Sequence, residues 1–339
     1  MKKNLWFMTL VSLILIIAAE ITLLVVFVRL KKPAFVNDLE AAGIEQIPYS
    51  MGASWADYNG DGYLDLLVGG RKLRLYKNNG NGTFTETAVD AGIRNNSISA
   101  TFADYDNDGC KDLYLVKLGP QPDSLYKNSC DGTFTEVSKE AGIKQENYTG
   151  AGAAWADYNN DGYLDLYVAN HGVPDPKSAD DNIPLLKRVR FKQPNILYRN
   201  NKGGTFTDVT EESGVSGDTN CSGEIRKEIR DKFAEGWPHK ESFQPIWFDY
   251  NNDQKIDLFI ATDGGVSPLY KNEGGGKFTE TTKEAGLCRM GTGMGVTAGD
   301  YDNDGDTDMY VTNVGTNFLW RNNGDGTFTE AAVEAGTVD

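Results

Sequence analysis

An all-β propeller of four-stranded antiparallel blades, behind one N-terminal membrane helix, is the fold this sequence predicts. Three observations predict it. The first is a ten-residue stretch, Asp57-Tyr58-Asn59-Gly60-Asp61-Gly62-Tyr63-Leu64-Asp65-Leu66, whose pattern returns from Asp104, Asp157, Asp249 and Asp300. The second is the order of residues after each copy: a short apolar run of strand formers, a Gly/Asn turn, and a Thr-Phe-Thr-like strand. The third is a linker phrase, Ala42-Gly43-Ile44, echoed at Ala91-Gly92-Ile93, Ala141-Gly142-Ile143, Ser213-Gly214-Val215, Ala285-Gly286-Leu287 and Ala335-Gly336-Thr337. Units repeating at tens of residues stack on one another because none can bury its apolar face alone, and four-stranded units stack radially into blades.

From the start of the chain, Leu5 to Val28 is nearly all apolar. A helix of that length reaches roughly 36 Å, enough for a hydrocarbon core of about 30 Å. The apolar run continues past Ala18-Ala19, the one small-residue cleavage candidate, so the segment reads as an uncleaved anchor over residues 1–32, with cleavage and a secreted chain as the alternative. Glu20 is costly inside such a span unless it is protonated or paired. Basic residues flank both ends (Lys2 and Lys3; Arg29, Lys31 and Lys32), so charge does not set the orientation. Phe35 to Ile44 reads as a strand entering the propeller domain, residues 33–339.

One full unit runs from Gly52 to Ile93. Gly52 to Ala56 is a strand of small residues suited to a crowded axis, and the Asp-rich stretch turns it into Leu64 to Val68. Leu73 to Lys77, the turn Asn78 to Gly82 and the strand Thr83 to Thr87 complete four strands. Five copies predict five blades, with six or seven left open by two insertions. One insertion, near 171–194, holds Pro174, Pro176, Pro184 and Pro194. The other, near 216–243, carries Ile225, Ile229 and Phe233 along one stripe of a short helix. Up-down-up-down strand order brings both insertions out at the end opposite the Asp-rich loops.

The Asp-rich stretches place acidic or amide oxygens at positions 1, 3, 5 and 9. Only a hard cation needs so many oxygens in one turn, and calcium takes six to eight, in loops of this spacing with Gly at position 6. No Glu stands at position 12 and strands come next, so these are calcium loops in β-hairpins rather than EF-hands. The expected side-chain ligands are Asp57, Asn59, Asp61 and Asp65; Asp104, Asp106, Asp108 and Asp112; Asp157, Asn159, Asp161 and Asp165; Asp249, Asn251, Asp253 and Asp257; and Asp300, Asp302, Asp304 and Asp308. Position 7 would add a backbone carbonyl from Tyr63, Cys110, Tyr163, Lys255 and Asp306. Up to five Ca2+ ions are expected, the loop at Asp249 being the weakest because Gln254 replaces its bend glycine.

The formal charge of -16 excludes nucleic acid as a partner, since phosphate binding needs a basic surface. Roughly a third of the 49 acidic residues stand in the loops, so bound cations would offset much of that charge. No Cys-x-x-Cys pair or His spacing marks a zinc site, and the two histidines, His171 and His239, both fall in insertions. The four cysteines allow three complete pairings. Blade topology places Cys110 and Cys130 at the loop end and Cys221 and Cys288 at the other, which predicts those two disulfides, with free thiols as the alternative.

The phrases Ala-Asp-Tyr-Asn-Asn-Asp-Gly-Tyr-Leu-Asp-Leu-Tyr-Val from Ala156 and Leu-Trp-Arg-Asn-Asn-Gly-Asp-Gly-Thr-Phe-Thr-Glu from Leu319, with the Ala-Gly-Ile linkers, closely resemble FG-GAP/VCBS repeats. They are most similar to the repeats of ASPIC/UnbV-type proteins and distantly to the integrin alpha-chain propeller. The resemblance spans about residues 35 to 339 and implies a calcium-bearing propeller used for adhesion or protein contact. The literal Phe-Gly and Gly-Ala-Pro signatures are absent, no ASPIC-like domain comes after the last repeat, and integrin ligand residues have no counterpart. The expected function is a membrane-anchored, extracytoplasmic (periplasmic or cell-surface) module that binds a protein or glycan on its insertion face, with calcium structural. The rival expectations are a calcium-dependent hydrolase or lyase on polysaccharide, which lacks a recognisable catalytic constellation, and an accessory subunit of a membrane complex.

Overall fold

The computed structural model describes residues 37–338 apart from 49, 71, 118–120, 145–147, 175–189, 192, 218 and 222–240. The span at Leu5 to Val28, the helix expected from Glu224 to Phe233, and His239 lie outside the described residues. Among the described residues no helix is long and apolar enough to cross a membrane. The chain divides into two compact units, residues 1–43 and 44–339. In the first, the segment expected to be a strand into Ile44 is instead a turn where it is described: Ala42 N–H donates to Asp38 O (2.9 Å), and Gly43 takes a φ of 72°. An Ala-Gly pair ending in the left-handed region terminates a helical turn rather than extending a strand.

Five four-stranded antiparallel sheets make up the second unit. Sheet one holds β1 (Gly52–Ala56), β2 (Asp65–Gly69), β3 (Arg74–Asn78) and β4 (Phe84–Glu86). Sheet two holds β5 (Ser99–Ala103), β6 (Asp112–Val116), β7 (Ser124–Asn128) and β8 (Phe134–Glu136). Sheet three holds β9 (Thr149–Ala156) and β10 (Asp165–His171), then β13 (Ile196–Asn200) and β14 (Phe206–Asp208). The small ribbon of β11 (Val173–Pro174) and β12 (Arg190–Phe191) interrupts it inside the first insertion. A single helical turn, α1 (Thr210–Ser213), comes after β14. Sheet four holds β15 (Glu241–Phe248), β16 (Asp257–Asp263), β18 (Leu269–Gly274) and β19 (Lys277–Glu280), with β17 (Gly265–Val266) pairing instead with β20 (Met290–Gly291). Sheet five holds β21 (Gly293–Gly299), β22 (Asp308–Asn313), β23 (Phe318–Asn322) and β24 (Phe328–Glu330). Every meander runs in chain order, as the hairpin spacing predicts.

Apolar cores lie between neighbouring sheets. Leu67 and Leu75 of sheet one meet Leu113, Leu115 and Phe134 of sheet two, and equivalent cores join sheets two to three, three to four and four to five. β6 is buried along its whole length because both faces are covered, which is why Leu113 to Val116 reads as an unbroken apolar run. Each of these four seams carries the same aromatic pair: Tyr58 with Phe134, Tyr105 with Phe206, Tyr158 with Phe278 and Tyr250 with Phe328, with ring centroids 5.6–6.0 Å apart. The counterpart at the end of the series, Tyr301, is 42% exposed, and Trp55 on β1 is 55% exposed. These two residues lack the cover that their counterparts have at the four seams, although Leu66 and Tyr76 of sheet one and Leu319 of sheet five are buried on the same outer faces.

The linkers explain themselves once the sheets are in place. Each makes one helical turn closed by a left-handed glycine, and in three of them the residue before that glycine accepts the next sheet's Phe N–H: Phe134 to Ala91 O (2.8 Å), Phe206 to Ala141 O (2.7 Å) and Phe328 to Ala285 O (2.9 Å). At the opposite turn of four of the five units, the end of the second strand is held by a side-chain oxygen. Asn170, Thr262 and Asn313 N–H donate to Asn195, Ser267 and Asn317, and Lys117 N–H donates to Asp123 (2.8 Å). Asp123 is the one charged residue among these four, and burial pushes its carboxyl up to about 6 despite the hydrogen bonds from Lys117 N–H and Tyr114 Oη. A raised folded pKa means that the folded state holds the proton more tightly, so this group's contribution is fully present below about pH 4 and is lost as pH rises through about 6. Asp123→Asn keeps an acceptor and removes the buried charge. The variant is expected to match wild type near pH 4 and to be more stable by about 1–2 kcal/mol at pH 7.5. Urea melts at the two pH values check this, and a variant less stable at pH 7.5 would refute it.

Candidate functional site

All five Asp-rich stretches form the same loop between first and second strands. The position 1 carboxylate receives the backbone N–H at position 6: Gly62 to Asp57 (2.8 Å), Gly109 to Asp104 (3.0 Å), Gly162 to Asp157 (2.8 Å), Gln254 to Asp249 (2.7 Å) and Gly305 to Asp300 (3.0 Å). Position 5 receives the position 7 N–H, as from Tyr63 to Asp61, Tyr163 to Asp161 and Lys255 to Asp253. Two left-handed residues make the bend possible. Position 6 takes a φ of 65° even at Gln254, so the fourth loop closes like the others and carries the expected conformational cost of about 1 kcal/mol. Position 4 is also left-handed, at Gly60, Asn107, Asn160, Asn252 and Asn303. That demand was readable in the sequence as an invariable choice of Asn or Gly, the residues that tolerate this conformation.

The loops converge oxygens. Asp104, Asp106 and Asp108 bring three carboxylates within 4.8 Å of one another, as do Asp300, Asp302 and Asp304. Asp104 Oδ1, Asp106 Oδ1 and Asn159 Oδ1 are buried with no hydrogen-bond partner among the described residues, and a buried unpaired acceptor is costly unless something positive meets it. Lysines approach four of the loops: Lys77 to Asp61 (3.3 Å), Lys127 to Asp106 and Asp108, Lys202 to Asp161 (3.6 Å) and Lys255 to Asp253 (3.2 Å). Burial opposes ionisation of Asp108, but Lys127 and Cys110 N–H outweigh it and hold its pKa down. The fifth loop has no such ion pair among the described residues. Of the position 7 residues, Cys110 is bonded to Cys130, which ties the second loop to the turn beside it. Asp306 accepts Asn252 Nδ2 from the neighbouring sheet (2.7 Å).

Position 9 has partners that its spacing alone did not foretell. Asp65, Asp112, Asp165, Asp257 and Asp308 are essentially inaccessible to solvent. One oxygen of each accepts the backbone N–H of the Asn at or near the end of the third strand: Asn78, Asn128, Asn200, Asn272 and Asn322, at 2.7–2.8 Å. The other faces the start of its own loop, at Tyr58, Tyr105, Tyr250 and Tyr301 N–H or Asn159 Nδ2. Burial, offset by these N–H groups and aided by neighbouring carboxylates, pushes Asp112, Asp165 and Asp257 up to about 7. The same Asn side chains then reach across each formed seam: Asn128 Nδ2 to Tyr58 O, Asn200 to Tyr105 O, Asn272 to Tyr158 O and Asn322 to Tyr250 O, at 2.7–2.8 Å. Asn78 reaches Leu64 O of its own sheet instead (3.0 Å). The position 9 Asp is thus a brace from loop to third strand to neighbouring sheet.

At the other end, the feet of the two insertions meet. His171 closes β10 where the first insertion leaves, and Glu241 opens β15 where the second returns. His171 Nε2 lies 2.5 Å from Glu241 Oε2 and 3.9 Å from Asp263 Oδ2. Burial would lower the imidazole pKa, but hydrogen bonds with Asp263 and Glu241 raise it to about 9. Cys221 and Cys288 are joined beyond the third sheet, as the topology predicts. The sequence placed His171 in an insertion and offered no signal for its two carboxylate neighbours.

Acidic hairpin loops on successive, face-packed four-stranded sheets fit a repeat propeller. Consistent with this, a model of the FG-GAP-like repeat matches residues 57–115, 112–168, 249–311 and 300–338, and the chain belongs to that family. No curated protein matches it in sequence. Among solved structures, an Agrocybe aegerita lectin described as recognising non-reducing terminal N-acetylglucosamine is 17% identical, over 84% of this chain and 65% of its own, with a TM-score of 0.45. The V. cholerae biofilm matrix protein Bap1 is 14% identical, over 84% of this chain and 39% of its own, with a TM-score of 0.42. The rhamnogalacturonan lyase YesW is 16% identical, over 83% of this chain and 42% of its own, with a TM-score of 0.31. This chain spans less than two-thirds of each of the three.

Proposed function

We propose that the chain is a membrane-anchored binding module outside the cytoplasm, whose Asp loops take calcium to stiffen the blades and whose insertion face recognises a protein or glycan. The observation that carries this reading is the convergence of the two insertions on one end of the sheets, at His171 and Glu241, opposite the Asp loops. A rigid repeat frame with its two longest excursions gathered on one face is built to present a surface. Two disulfides support an oxidising compartment. The apolar run at residues 5–28 supplies the anchor, and the kinship with ASPIC/UnbV-type repeats belongs to the same proposal.

The donor set favours a hard ion, being all oxygen with three unpaired buried acceptors. Calcium would be held by the side chains at positions 1, 3, 5 and 9 and the carbonyl at position 7 of each loop, with position 9 also bracing the hairpin through its remaining lone pairs. Because calcium would bind the folded loops and not the unfolded chain, it stabilises by mass action. Titration of the full chain in detergent by calorimetry should show several bound ions, and chelation should lower the melting temperature by about 10 °C or more. An unchanged melt with no heat of binding would overturn the calcium reading. A glycan array and a panel of surface proteins, probed with wild type and with the 222–240 segment replaced by a Gly/Ser linker, test the insertion face. Equal binding by both would overturn its role.

A further inference from the structure

We infer that the first sheet carries a binding cleft for a sugar acid, a uronate-bearing saccharide, between Lys72, Glu86 and Arg94. The cleft presupposes the binding module proposed above but places the ligand on sheet one rather than on the insertions. Its volume is about 430 Å³, within the range of small-ligand sites. The floor is apolar, with Leu73, Ala88 and Ile93 buried, and the rim is charged.

Sheet one departs from the repeat at this cleft. In the other four sheets the residue leading into the third strand is Asp123, Asn195, Ser267 or Asn317, and its oxygen holds the end of the second strand. In sheet one that residue is Leu73, which has no such oxygen, and Gly70 N–H donates instead to Ser97 O (2.7 Å). The next residue, Arg74, stands where the other sheets have Ser124, Ile196, Pro268 and Phe318. A repeat that gives up a structural device in one copy frees those positions for another role. Arg94 is released in a similar way. Lys144, at the same place in the next linker, is paired with Asp208 (2.7 Å). The residue matching Asp208 beside Arg94 is Glu136, and it is taken by Ser124 Oγ (3.0 Å) and Asn95 Nδ2 (3.2 Å). Lys72 and Arg94 are exposed cations with no ion pair among the described residues.

The charges select the ligand. Arg74 is already met by Glu45 (2.6 Å). Lys72 and Arg94 share the cleft with one carboxylate, Glu86, which accepts Ala88 N–H (3.1 Å) and has acceptor capacity left. Two cations against one anion leave room for a single carboxylate, and the planar fork of an arginine matches the two oxygens of that group. A polyanion would be repelled by Glu86. The hydroxyls of a sugar can instead donate to it, while the C–H face of the ring lies on the apolar floor. Carboxylate, hydroxyl donors and an apolar face meet in a uronate.

The test uses the full chain in detergent, with trigalacturonate and its neutral counterpart galactotriose as probes. Calorimetry is run in chelator, so that no calcium bridges the acid to the Asp loops. Trigalacturonate is expected to bind at least about tenfold more tightly than galactotriose, with an affinity that falls as salt rises. Lys72→Ala and Arg94→Ala should each weaken it at least about fivefold, and the double variant should abolish it. Both side chains are exposed, so the variants should keep the wild-type melting curve. No binding of trigalacturonate, equal affinity for the two probes, or equal affinity in wild type and the double variant would overturn the cleft. Trigalacturonate affinity that falls when residues 222–240 are replaced, and not in the double variant, would put the acid on the insertion face; the cleft would fall and the insertion-face reading would stand. Array binding unchanged by that replacement, with trigalacturonate lost in the double variant, would do the reverse.

Discussion

Asp165→Ala is expected to cost about 3–5 kcal/mol of folding stability, because it orphans donors inside a core. Asn200 N–H (2.7 Å) and Asn159 Nδ2 (3.2 Å) both lose their acceptor. Asn200 is also the residue whose amide crosses to Tyr105 O of the preceding sheet (2.7 Å), so a shift at the brace loosens the seam as well. Asp165→Asn separates acceptor from charge. Burial already pushes the Asp165 carboxyl up to about 7, so a neutral group of the same shape loses little in the metal-free protein, about 1 kcal/mol. Urea unfolding of both variants in chelator, monitored by circular dichroism, measures the difference. Equal losses for Ala and Asn would sink the brace, since the two differ in whether an acceptor remains.

Gly142→Ala is expected to cost at least about 3 kcal/mol, more than a left-handed bend alone would demand. Gly142 has a φ of 79°, and a Cβ there would come within 2.8 Å of Phe206 O, a backbone atom of the next sheet. Phe206 cannot retreat freely, because its own N–H donates to Ala141 O (2.7 Å) and its ring packs on Tyr105. Gly62→Ala is the control: Gly62 has a φ of 88° but nothing within 4 Å of the added carbon. It should cost only about 1 kcal/mol, the conformational term. Melts of both variants in chelator check the contrast, and comparable losses would show that the linker glycine serves only the turn.

The two glycines also mark how far the sequence reaches. A left-handed bend is a local event, so Gly62 and Gly142 announce themselves through the repeat in which they stand. Local, too, are the hairpins, their order within each sheet, and the loop oxygens at positions 1, 3 and 5. The pairing of Cys110 with Cys130 and of Cys221 with Cys288 came from the same periodicity, because antiparallel meanders alternate their ends. The entering strand failed because its apolar residues suggested extension while Asp38 and the Ala42-Gly43 pair made a turn.

By itself, then, the sequence determined five repeated hairpin units and their acidic loops, in an order that fits a propeller. These rest on interactions a few residues long, repeated often enough to be unmistakable. Only the tertiary structure decided that position 9 is a brace, because its meaning depends on Asn200 reaching a carbonyl 95 residues away in sequence. It alone showed Tyr301 and Trp55 uncovered while their counterparts are packed at the seams. It alone gathered His171, Glu241 and Asp263 from the ends of three strands. No spacing rule links residues so far apart, since their meeting depends on how the third and fourth sheets pack rather than on any local turn.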